Sequence, residues 1–124
     1  MKPLSSTAAA SALSERILNG EGAMLQTLEM NGPTSATLRM SVQDKQRGFD
    51  WIDILFEMNG MNDARLVDDD KLGFIGTDEG ITIVFENGVW GLGIGRYGSL
   101  RALQSAPLYL AGASLKYEEA PFSG

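Results

Sequence analysis

The chain contains neither cysteine nor histidine, and these absences exclude more chemistry than any residue present suggests. Without thiolate or imidazole there is no Ser-His-Asp or Cys-His nucleophile and no histidine base, and the usual zinc, copper and haem ligands are missing. Only carboxylate, lysine, tyrosine or serine chemistry remains. Neither composition nor motif asks for a cofactor or a metal. The lack of cysteine matches a reducing cytoplasm, although many exported proteins also lack disulfides.

Long hydrophobic runs are absent too. No stretch approaches the roughly 18 apolar residues of a membrane span, and the N-terminal "MKPLSSTAAASALSERILNG" carries serine and threonine where a signal peptide needs an unbroken apolar centre. The expectation is a soluble cytoplasmic protein with no membrane contact. Basic residues are in deficit, 10 Lys and Arg against 16 Asp and Glu for a net charge of −6. That balance repels phosphate backbones and anionic lipid, so nucleic acid is not an expected partner. An acidic surface suits a basic protein partner, and it also serves plain solubility.

What is present is an ordinary globular balance. With 124 residues, 44% of them hydrophobic, residues 1–124 make one domain able to bury a core without disulfides. "SSTAAASALSERILNG" reads as a helix over 5–19, with serine N-caps, a narrow stripe of Ala9 or Ala10, Leu13 and Ile17, and an Asn19-Gly20 stop. Beyond Gly22 the period changes to alternation with frequent turn signals, which predicts an antiparallel meander over 23–118. "FDWIDILFEM" at 49–58 is its most apolar strand, with Ile52, Ile54, Phe56 and Met58 on one face and Trp51, Asp53, Leu55 and Glu57 on the other. "KLGFIG", "ITIVFE" and "VWGLGIG" read as three further strands, the last two joined by an Asn87-Gly88 hairpin turn. A short helix, "SLRALQSA", ends at Pro107. The fold class is α+β: a strongly curved antiparallel sheet, half-barrel or barrel-like, with the N-terminal helix packed on it and one short helix near the C-terminus.

Two motifs imitate known sites. "GIGRYG" at 93–98 has dinucleotide spacing, but the hairpin places Phe85, Ile83 and Ile81 opposite Trp90, Leu92 and Ile94. The strand before the glycines is therefore one arm of an antiparallel hairpin, and the helix after them is too short for a Rossmann unit. The same register puts Gly91, Gly93 and Gly95 on one bare face, where another backbone comes close. Its expected occupant is the alanine stripe of the N-terminal helix, and the alternative is a ligand slot flanked by Arg96 and Tyr97. "DDDKLGFIGTDE" at 68–79 fits part of an EF-hand loop, but Leu72 stands where an oxygen ligand belongs and no helices flank it.

Asp53 is the conspicuous carboxylate. The expectation is a solvated sheet face beside Trp51. If buried, Asp53 needs a raised pKa or a cation such as Arg39 or Arg96. Asp53 and Glu57 lie about 13 Å apart along a strand, too far for a glycosidase pair. The methionines Met24, Met30, Met40, Met58 and Met61 read as core filling or, with Trp51 and Phe49, as the lining of an apolar pocket.

The "FENG.WG" hairpin and the "SLKYEE" tail, within the C-terminal third, resemble small bacterial proteins of the kind carried on integron mobile gene cassettes. The resemblance implies a cytoplasmic single domain and carries over no site residue. Three functions remain open. The first is a non-enzymatic binding module holding a small apolar ligand or a protein partner at the concave sheet face, with Trp51, Asp53, Trp90, Arg96 and Tyr97 as contacts. The second is an acidic inhibitor- or immunity-type interaction protein using Asp68, Asp69, Asp70, Glu118 and Glu119. The third is an enzyme in which Asp53 works with an arginine. An exposed edge strand also allows a homo-oligomer.

Overall fold

A computed structural model describes residues 1–124. A two-residue strand β1 (Lys2–Pro3) precedes helix α1 (Thr7–Arg16), whose N-cap Ser6 accepts a hydrogen bond from the Ala9 amide at 3.1 Å. Ala10 and Leu13 on α1, and Ile17 just beyond it, are buried as the apolar stripe requires. Leu18 and Asn19 then take left-handed backbone angles in a 3-10 turn, Leu18–Gly20, which stops the helix.

Six longer strands follow: β2 (Met24–Gly32), β3 (Ser35–Asp44), β4 (Asp50–Arg65), β5 (Ile81–Glu86), β6 (Val89–Ile94) and β7 (Tyr109–Pro121). Helix α2 (Leu100–Leu103) lies between β6 and β7. Together with β1 they form one antiparallel sheet of seven strands in the order β2-β3-β4-β7-β6-β5, with β1 alongside β7. The fold is α+β with a curved, unclosed sheet. The break between edges β2 and β5 is bridged by the segment after α1, where Gly22 donates to the Thr77 carbonyl at 2.9 Å and Thr77 Oγ1 donates to the Ala23 carbonyl at 2.7 Å.

The simple meander over 23–118 does not hold. The sheet also takes in Lys2–Pro3, and the chain leaves it after β4, crosses to the far edge for β5, and returns so that β7 lies between β4 and β6. Strand length explains the detour: β4 has 16 residues and the next strand only 6. The 13-residue β7 instead pairs with β4 from Ile52↔Pro121 to Arg65↔Tyr109. "KLGFIG" is a second correction, because Asp69–Phe74 forms a 3-10 turn. Only Leu72 of this segment enters the core, so no alternating face exists to hold it in a sheet.

The main core fills the concave face, where Leu4, Leu13, Ile17 and Leu72 meet Leu38, Met40, Ile54, Phe56, Trp90 and Leu92. The Asn87-Gly88 hairpin adopts the expected register, with Ile81↔Ile94, Ile83↔Leu92 and Phe85↔Trp90. Its bare face is packed, but against α2 and not α1. Trp90, Leu92 and Ile94 share the core with α1, so the alternating Gly91 and Gly93 must face away from it. There Leu100, Leu103 and Tyr109 build a second small core. Side chains at these glycines have no room: a Cβ on Gly91 would lie 2.7 Å from Leu103 Cδ2, and one on Gly93 3.3 Å from Tyr109 Cβ. Gly93→Ala is expected to destabilise the fold by about 1–3 kcal/mol through overpacking. Gly73→Ala, at a position with open space around it, should stay within about 0.5 kcal/mol. Urea unfolding midpoints of both variants check this.

Candidate functional site

The alternation of β4 is as expected, with Ile52, Ile54, Phe56 and Met58 buried in the core. Asp53 therefore points to the opposite face, but it is not solvated: it has no exposed surface. Its register partner Ser41 donates to Oδ1 at 2.5 Å, Arg39 Nε donates to Oδ2 at 2.7 Å, and Ser123 Oγ donates to Oδ2 at 2.5 Å. The expectation of a wet face fails because the C-terminal residues fold back over this part of the sheet. Burial pushes the Asp53 pKa up, and the hydrogen bonds from Ser123, Ser41 and Arg39 outweigh it, so the carboxyl titrates below its usual range. Arg39 is the cation, while Arg96 is mostly exposed and lies 3.5 Å from Glu21. Asp53 is a covered anion whose acceptors are taken by Ser41, Arg39 and Ser123.

The five expected contact residues do not assemble into one surface. Trp90 lies in the main core, its ring tilted against that of Phe85 with centroids 4.5 Å apart. Trp51 is on the outer face, 36% exposed, with its ring 5.9 Å from that of Phe122. Tyr97 closes over Gly95, and its amide donates to Thr82 Oγ1 at 3.0 Å. The larger open grooves, of about 590 and 460 Å³, are lined by neither tryptophan. Of the methionines, Met40 and Met58 fill the core, whereas Met24 and Met30 are exposed, and Met30 lines a groove with Leu28 and Leu66.

A second buried carboxylate, Asp44, was not singled out by sequence reading. It receives Arg16 Nε at 2.9 Å and Arg16 Nη2 at 2.6 Å, and Arg47 Nε lies 3.2 Å away. The same Arg16 guanidinium also pairs with Glu119. Hydrogen bonding from Arg16 holds the Asp44 carboxyl below its usual range against the opposing effect of burial. The signal was there: position 44 continues the inward row Ala36, Leu38, Met40 and Val42, and an acid in such a row needs a cation. Glu119 is corrected in turn, since it ties the end of α1 to β7 and is not free surface charge. Glu118 is exposed.

Asp68, Asp69 and Asp70 are exposed at the start of the 3-10 turn. Asp69 Oδ1 accepts from the Leu28 amide on edge strand β2 at 2.7 Å, which caps an edge that would otherwise invite another strand. No three acidic side chains lie where they would hold a metal ion together, and no helix is long and apolar enough to cross a membrane. The acids stand beside apolar surface. Leu28, Met30, Leu66 and Val67 line a shallow groove of about 420 Å³ with Asp68 and Asp69, and at the far end of the same turn Phe74 is 88% exposed.

The two arginine-bound aspartates make stability pH-dependent in one direction. Both carboxyls are lowered on folding, so their contribution is complete above the unfolded value of about 4 and is lost as the pH falls through their folded values. Stability should be flat near neutrality and drop below about pH 4, and Asp53→Asn should shrink that drop. Asp53→Ala is expected to cost about 2–3 kcal/mol, near the lower end for a broken buried pair because Arg39 can rehydrate. Chemical unfolding across the acid range measures both effects. No protein-family model, curated protein or solved structure matches the chain, so the site is read from its own residues and geometry.

Proposed function

We propose that the protein is a non-enzymatic interaction module that docks a basic protein partner on the acidic surface beside β2. The partner surface that fits it presents lysine or arginine around an apolar anchor. The observation that carries this reading is Phe74, 88% exposed on a turn that begins with three consecutive aspartates. A solvated phenylalanine forgoes about 1.5–3 kcal/mol of burial. Met30 and Leu66, each 48% exposed, extend the apolar surface at the same edge. Apolar anchors beside a run of three aspartates suit a partner of the opposite sign, with the charges steering encounter and the anchors slowing release. The net charge of −6 favours the same partner class. A small apolar ligand in the concave face has less support, because side chains from α1, Leu4 and Leu72 already occupy it.

The test is a titration of isotope-labelled protein with a synthetic amphipathic peptide of lysine and leucine, followed by amide chemical shifts. Salt-sensitive binding with shifts gathered at Met30, Leu66 and Phe74 is expected. Phe74→Ala should weaken it about tenfold. Asp68→Asn with Asp70→Asn should flatten the salt dependence, with Asp69 left to hold Leu28. Shifts spread elsewhere, or equal affinity for Phe74→Ala, would refute the assignment.

A further inference from the structure

A groove of about 590 Å³ lies on the outer face where β4, β7, the β5–β6 turn and α2 meet. Its volume falls within the roughly 300–1,000 Å³ of small-molecule sites. Two carboxylates face it, Asp63 from β4 and Glu86 from the end of β5, and Arg101 faces it from α2. Neither acid is within ion-pair distance of Arg101. Alone among the arginines, Arg101 has neither an ion pair nor a hydrogen bond: Arg16, Arg39, Arg47 and Arg96 pair with acids, and Arg65 donates to the Ala106 carbonyl at 2.7 Å.

The acids, by contrast, are held in place. Gln104 Nε2 donates to Asp63 at 3.3 Å, and the Leu100 amide donates to Glu86 at 3.3 Å. Burial first, and then the neighbouring Asp63 carboxylate, raise the Tyr109 phenol above its usual range, so Tyr109 stays protonated beneath the groove. A carboxylate has about four acceptor positions, so each acid keeps free lone pairs. Separated charges of both signs, with Asn62 and Asn87 beside them, complement a ligand that also carries both signs.

We infer that this groove binds a small zwitterion of the α-amino acid class, its carboxylate on Arg101 and its ammonium on Glu86, which is held beside Arg101 by the Leu100 amide. The guanidinium fork takes a carboxylate through paired hydrogen bonds, and an ammonium offers three donors, one for Glu86 and the rest for the amide oxygens and the Asp63 side of the groove. This site is distinct from the acidic edge beside β2, so either assignment can fail without the other.

The test is an amide-shift titration of the labelled protein with the common L-α-amino acids, and with the methyl ester and the N-acetyl form of the best binder. Saturable shifts at Asn62, Glu86, Arg101 and Gln104 are expected. The ester, lacking the carboxylate, and the N-acetyl form, lacking the ammonium, should each bind about tenfold or more weakly. Arg101→Gln should abolish the preference for acid over ester, and Glu86→Gln should reduce the preference for the free amine. Arg101 is exposed and unpaired, so its variant should unfold at the wild-type midpoint. The inference is overturned if no amino acid gives saturable shifts at these residues, or if acid and ester bind alike to the wild type.

Discussion

Everything in this fold depends on pairing β4 along its whole length. A strand of 16 residues presents more unsatisfied backbone than a short neighbour can cover, and buried amides left unpaired are too costly to tolerate. β3 covers one edge from Asp44↔Asp50 to Ser35↔Asn59, and β7 covers the other from Ile52↔Pro121 to Arg65↔Tyr109. That requirement places β7 between two sets of strands that are each local in sequence. It also forces the crossover that carries the acidic 3-10 turn along the edge of β2. The exposed aspartates and Phe74 are where they are because the chain had to travel from one side of the sheet to the other.

The two covered aspartates act as fasteners at points where elements meet. Asp44 and Glu119 hold the end of α1 through Arg16, joining helix, β3 and β7. Asp53 holds the C-terminal residues through Ser123 while Arg39 and Ser41 satisfy its remaining acceptors. Both sites obey one rule: a carboxylate out of water needs donors enough to offset its lost hydration. That use of charge leaves other charged groups without a structural partner or only partly engaged. Arg101 is unpaired, Asp63 and Glu86 each accept one hydrogen bond, and Asp68 and Asp70 stay exposed while Asp69 caps β2.

The glycine-rich hairpin shows how one feature can be read correctly in part. Register followed from Asn87-Gly88, because a two-residue turn admits one pairing and the Ile, Phe and Trp residues then share a face. That Gly91 and Gly93 meet something closely was also legible. The identity of the neighbour was not, since a strand pattern says which residues share a face and not which helix lies against it. α2 won that position because α1 was already committed to the Trp90 and Leu92 side.

Sequence by itself determined the periodic parts: the helix stripe of Ala10 and Leu13, the alternation of β3 and β4, the tight hairpin, and the α+β class. These are set by local geometry and by burial of one face, both of which repeat along the chain. The acid at position 44 was visible in the same way, as a charge in an apolar row. Tertiary structure alone decided the strand order, the cover over Asp53 and the groove around Arg101. Each joins residues far apart in sequence, such as Asp53 with Ser123 and Asp63 with Gln104, and no local pattern specifies which distant segments will meet.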